Sequence, residues 1–145
     1  MLRTYERIRM FGVLCGVFGG AFLLAALVHM STGVDLGELS REPRMMELGL
    51  LELISGAVLS AAAVGHFARK IWAWKTGMFG HLLGLVTSVI GLLAPQLGFG
   101  SLTEVGHMFY LLMLVLLSLS LIAQWQIRPR NPVKRAAHRA AARLY

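Results

Sequence analysis

Residues 45–67 read MMELGLLELISGAVLSAAAVGHF, and Ala68, Arg69 and Lys70 follow at once. An apolar run of this length matches the roughly 20 residues that an α-helix needs to cross a hydrocarbon core about 30 Å thick. In lipid every backbone polar group must be satisfied within its own segment, so the run is predicted to be a helix. Two cations then end it at a membrane surface. The one feature that resists this reading is Glu52, a carboxylate well inside the apolar stretch.

Working outward from that segment, three more apolar runs fall at about 10–30, 71–93 and 103–126, separated by short polar or basic breaks. With 57% hydrophobic and 14% charged residues among 145, the composition is far from that of a water-soluble domain. The predicted fold is therefore all-α, a polytopic membrane four-helix bundle of residues 1–127 built from two hairpins. The leader carrying Arg3, Arg7 and Arg9 is read as part of a retained anchor, because the apolar run after it is long for a signal peptide and lacks a small-x-small cleavage site.

Charge position sets the expected topology. Twelve of the 14 Lys and Arg lie in the N-terminal leader, at Arg69, Lys70 and Lys75, or in the tail from Arg128 to Arg143. The other two, Arg41 and Arg44, share a loop with Asp35, Glu38 and Glu42. The positive-inside rule places both termini and the 69–75 turn in the cytoplasm, with the 31–44 and 94–102 loops outside. The net charge of +7 is thus a topology signal, and nucleic acid is not expected as a partner.

The tail, residues 128–145, sets Val133, Ala137, Ala140 and Leu144 on one helical face and basic residues on the other. Lys134, Arg135, Arg139 and Arg143 are the expected contacts to anionic lipid headgroups. Trp72, Trp74 and Trp125 fall at the inner boundary, where indole rings prefer the headgroup region. Ser101 with Glu104 reads as a capping box opening the fourth span, and Pro43 suits the first turn of the second. Cys15 is the only cysteine, which excludes an internal disulfide and any CxxC motif.

Helices in lipid associate through close packing of small residues, so stripes of small residues mark the faces that meet. Gly12, Gly16, Gly19 and Gly20 lie in the first span. The third carries Gly77, His81, Gly84, Ser88 and Gly91 at spacings of four and three. Glu52, Gly56, Ser60 and Ala63 share a face of the second. Facing these inward also carries ionisable groups inward, where they mark a site by default. Glu52, His81, His107 and Tyr110 form the candidate polar intramembrane site, with His107 or Tyr110 as expected partners of Glu52. His29 and His66 sit at span ends, where an interfacial role is expected.

His29, Glu52 and His107 are weak candidates for a metal, since they are scattered singly over separate helices. By the 1.5 Å rise per residue, His81 and His107 differ in depth by about 12 Å and make a poor haem pair, whereas His29 and His107 differ by about 6 Å. No cofactor is predicted outright; haem or a metal remains the group the polar residues would suit. There is no phosphate loop, nucleophile elbow or HExxH motif, so no catalytic residue is assigned.

The segment Glu47–Trp74, ELGLLELISGAVLSAAAVGHFARKIWAW, resembles the second helix and following turn of the DoxX-like membrane proteins. An acidic residue, a Gly-containing apolar run and a basic turn carry the resemblance, onto which Glu52, Gly56 and Arg69 map. The third and fourth spans, with His81 and His107, depart from that pattern. The resemblance implies a bacterial membrane component beside redox or sulfur-oxidising partners, at the quinone pool.

The expectation is a small accessory or scaffold protein of a bacterial inner membrane, without catalytic activity of its own, in a homo-oligomer or a larger membrane complex. The competing expectation is a redox or proton-handling component using an outer-leaflet His/Glu site. Small-molecule permeation by an oligomer is the third.

Overall fold

A computed structural model describes residues 2–30 and 44–126, with the backbone alone for residues 2–5 and 7. Four helices are described: α1 (Leu2–Met30), α2 (Met46–Phe67), α3 (Ala73–Leu92) and α4 (Glu104–Gln126), with no strand among the described residues. Each contains a stretch long and apolar enough to cross a membrane, in α1 from Ile8 onward. The chain is a multi-pass membrane protein of the all-α class. The first helix begins eight residues before the expected span because its basic leader is also helical. Pro43, most of the 31–44 loop and the whole basic tail, including Lys134, Arg135, Arg139 and Arg143, lie outside the described residues.

The helices meet in chain order, α1 against α2, α2 against α3 and α3 against α4, and α1 touches α4 only sparsely. Gly12 lies opposite His66 and Gly49 opposite His29, so α1 and α2 run antiparallel. Small residues bring the backbones close. A methyl group on Gly19 would lie 2.9 Å from the backbone nitrogen of Ser60, and one on Gly56 would lie 2.9 Å from the Gly19 carbonyl oxygen. The α3 seam is buried as well, with a core side chain seated over most of its glycines: Leu59 over Gly80, Phe22 and Leu117 over Gly84, and Tyr110 over Gly91. Gly20, the exception on α1, is exposed and has nothing near it.

Two apolar clusters hold the interior. Phe18, Phe22, Leu59, Met113 and Leu117 fill the middle, while Met45, Leu48, Ala94 and Leu102 pack around Tyr110 at the end bearing the α1–α2 and α3–α4 connections. Residues such as Val13, Val17, Val64, Met108 and Leu119 point outward, more than half exposed, as a lipid-facing surface requires.

The connections are built by local rules. After α2, Arg69 adopts a left-handed backbone with φ 54°, its N–H bonding the His66 carbonyl while Lys70 N–H bonds that of Gly65. These paired bonds are a Schellman closure, made by an arginine where glycine is usual. Gly98, at φ 78°, does the same after Pro95, with Phe99 N–H donating to Ala94. The start of α4 differs from the expected capping box. Thr103 is the capping residue, accepting from Gly106 N–H at 3.3 Å, because Ser101 lies two residues too early to reach the first free amides.

Candidate functional site

The first consequence of antiparallel α1 and α2 is that the last turn of α1 lies beside the first turns of α2. Met45 N–H donates to the His29 carbonyl across that junction. His29 continues the inward stripe of Phe22 and Ala26, and Glu52 continues that of Met45 and Leu48, so the two side chains face each other. His29 Nδ1 and Glu52 Oε2 share a hydrogen bond of 2.8 Å. From α4, the Tyr110 hydroxyl donates to the other carboxyl oxygen, Oε1. The Tyr110 ring stacks on that of His29, centroids 6.5 Å apart and planes 9° from parallel. Glu52 and Tyr110 are fully buried and His29 is 4% exposed.

Burial on this scale makes an unpaired carboxylate prohibitive, and the triad answers it by giving both oxygens a partner. The proton between Glu52 and His29 has two places to sit. On Nδ1 it makes a carboxylate–imidazolium pair; on Oε2 it makes a carboxylic acid and a neutral imidazole whose remaining proton is on Nε2. Both forms are neutral overall, both leave Tyr110 donating, and both leave Nε2–H as a donor. Loss of one proton gives a carboxylate and a neutral ring with its proton on Nδ1, which turns Nε2 into an acceptor. His29 Nε2 is buried and has no protein partner among the described residues.

Because α1 and α4 meet sparsely, a crevice of about 140 Å³ opens between them. His29 and Tyr110 line it together with Leu24, Val28, Val105 and Phe109, and the surface they present to it is apolar. The crevice therefore suits an apolar molecule, with His29 Nε2 buried just behind its wall.

The expected four-residue site is divided in the structure. Glu52 and Tyr110 are in direct contact. His107 points outward, exposed, with its Nδ1–H donating to the Thr103 carbonyl at 3.1 Å. Glu52 takes His29 as its histidine partner instead, because the inward face of α4 runs Gly106, Tyr110, Met113, Leu117, Ser120 and Gln124, which turns His107 away.

His81 belongs to a separate network. Its Nδ1–H donates to the Gly77 carbonyl at 2.7 Å, and Nε2 accepts from the Ser120 hydroxyl at 2.8 Å. Of the weak metal candidates, His29 and Glu52 touch and His107 lies apart. Among the described residues no three His, Cys, Asp or Glu side chains gather as a ligand set.

Sequence reasoning missed several inward polar residues, among them His66 and Gln124, both buried. The signal for Gln124 was present, since it continues the four-and-three spacing through Tyr110, Met113, Leu117 and Ser120. No family model, no curated protein and no solved structure matches the chain.

Proposed function

We propose that the chain is a small accessory protein of a bacterial inner membrane, closed as an N-in/C-in four-helix bundle. Its His29–Glu52–Tyr110 site binds the head of a lipid-soluble quinone and hands it a proton. The observation that carries this reading is the buried triad beside an apolar crevice that His29 and Tyr110 help to line, with His29 Nε2 lacking a protein partner among the described residues. Intramembrane ionisable groups are costly, and three of them converging on one another and on a crevice between helices is the pattern of a site.

The chemistry follows from the protonation forms. In either neutral form, Nε2–H donates to a quinone carbonyl while Tyr110 holds the carboxyl group in place. When a redox partner supplies two electrons and the proton for the far oxygen, the oxygen held at the site needs the second proton, and Nε2–H delivers it. What remains is the Glu52 carboxylate and a neutral His29, whose Nε2 now accepts from the new hydroxyl. The site thus recognises both states of the ligand by exchanging donor for acceptor. Electrons come from the partner, which is why the chain is read as accessory. The DoxX-like resemblance of residues 47–74 points to the same setting.

Solvent extraction of gently purified protein, with the extract identified by mass, tests the proposal alongside an absorption spectrum and elemental analysis. A stoichiometric quinone in the wild-type extract, lost from Glu52→Leu at equal expression, supports it. A colourless, metal-free sample that carries no quinone and travels with a larger assembly returns the chain to the scaffold reading.

A further inference from the structure

The face shared by α3 and α4 carries a second open space, away from the crevice beside His29. It is a groove of about 380 Å³ lined by Met78 and Leu82 from α3 and by Leu121, Ile122, Trp125 and Gln126 from α4. Leu82, Ile122 and Trp125 are each half exposed or more, so the groove opens outward, and the surface it presents is almost wholly apolar. In a spanning chain that side meets bilayer lipid.

Contacts along the helix pair fix the level of each residue. Gly77 meets Gln124, Gly84 meets Leu117 and Gly91 meets Tyr110, so α3 and α4 run antiparallel. On that register Lys75 comes level with Gln126, at the α2–α3 turn end of the groove. Lys75 also precedes Met78 and Leu82 by three and seven residues, which puts all three on one helical stripe. Its side chain is exposed and has no ion-pair partner among the described residues. Lys70, in the adjoining turn, is exposed as well, and no carboxylate lines the groove. By the 1.5 Å rise per residue, Leu82 lies about 10 Å deeper than Lys75.

A lysine at the end of a span carries its ammonium to headgroup level while its stem lies along apolar surface. Trp125, on the opposite wall, is at the same end, where indole rings prefer the headgroup region. An occupant that fits brings an anion to that depth and an apolar chain beneath it. We infer that the α3–α4 groove holds one anionic phospholipid, its acyl chain along Met78, Leu82 and Ile122 and its headgroup at Lys75. A free phosphate would leave the apolar body of the groove uncovered, and a zwitterionic lipid would bring a cation of its own beside Lys75. The groove shares no residue with the crevice lined by His29 and Tyr110, so the inference does not depend on a quinone there.

The test is native mass spectrometry of full-length protein released from detergent micelles that contain equal phosphatidylglycerol and phosphatidylcholine. The wild type is expected to keep one phosphatidylglycerol per chain in preference to phosphatidylcholine. Lys75→Gln should lower that retention about fivefold, the equivalent of the roughly 1 kcal/mol that one lysine contributes at an anionic surface, whereas Lys75→Arg should keep it. Lys75 is exposed, so neither change disturbs the packing. Ile122→Trp, which fills the groove, should lower retention of both lipids. Equal retention of the two lipids by the wild type, or unchanged retention in Lys75→Gln or Ile122→Trp, would overturn the inference. So would retention that falls when Lys134, Arg135, Arg139 and Arg143 are changed together to Gln with Lys75 kept, because the tail would then hold the headgroup.

Discussion

Replacing His29 by alanine removes the nitrogen facing Glu52 Oε2 and leaves a fully buried carboxyl group with Tyr110 as its remaining side-chain donor. Breaking a buried charged pair by removing one member costs about 3–5 kcal/mol, because the survivor is left uncompensated. An ordinary hydrogen bond between membrane helices is worth far less, about 0.6 kcal/mol on average and roughly 1.7 at most in double-mutant cycles. The two figures make the cycle of His29→Ala with Glu52→Leu decisive. Glu52→Leu removes the acceptor of the Tyr110 hydroxyl and strands His29 Nδ1, at about 1–3 kcal/mol for a buried group left unsatisfied. The double variant leaves neither member of the pair behind and should fall well short of the sum of the singles. Reversible unfolding in mixed lipid–detergent micelles reads all four corners. A coupling energy above about 2 kcal/mol is expected for a pair that holds a proton as one unit. A value near 0.6 kcal/mol would reduce the contact to a common interhelical hydrogen bond and refute the reasoning.

Three further expectations come from the same geometry. Tyr110→Phe keeps the ring against Gly91 and His29 but removes the donor to Glu52, so it should cost about 1–3 kcal/mol in the same unfolding assay and weaken quinone binding. Gly19→Ala drives a methyl group to within 2.9 Å of the Ser60 backbone and should destabilise by about 1–3 kcal/mol. Gly20→Ala, with nothing nearby, should be neutral or stabilising by up to about 1 kcal/mol; equal losses at both positions would contradict the close α1–α2 approach. A cysteine placed in the 31–44 loop should react with an impermeant thiol reagent added outside intact cells, whereas protection there together with labelling of the tail would reverse the proposed orientation.

The helices were legible because bilayer thickness is a length ruler, and runs of apolar residues of that length have few alternatives. Their expected ends fall within a few residues of those observed for α2, α3 and α4. The α1 start was less so, because hydropathy marks where a span enters lipid and is blind to a helix that continues into polar residues. Glu52 and Tyr110 stood out by cost and depth.

His29 did not, because imidazole at a span end is inexpensive and reads as interfacial; only the pairing of α1 with α2 turns it into a buried partner. His107 was misleading for the opposite reason. It lies three residues from Tyr110, near enough to share a broad face, while the inward stripe of α4 passes through Gly106 instead. Thr103 lost to Ser101 as the expected cap because the Ser–Glu spacing fits the pattern, and the deciding fact was where the first helical turn begins.

The most direct test of the central claim is titration of ¹⁵N-histidine-labelled protein in lipid nanodiscs with a short-chain quinone, following each imidazole. Saturable movement of the His29 Nε2 resonance, with His81 and His107 unmoved and the response abolished in Glu52→Leu, is the expected result. Binding that leaves His29 undisturbed, or that persists unchanged in Glu52→Leu, would contradict it.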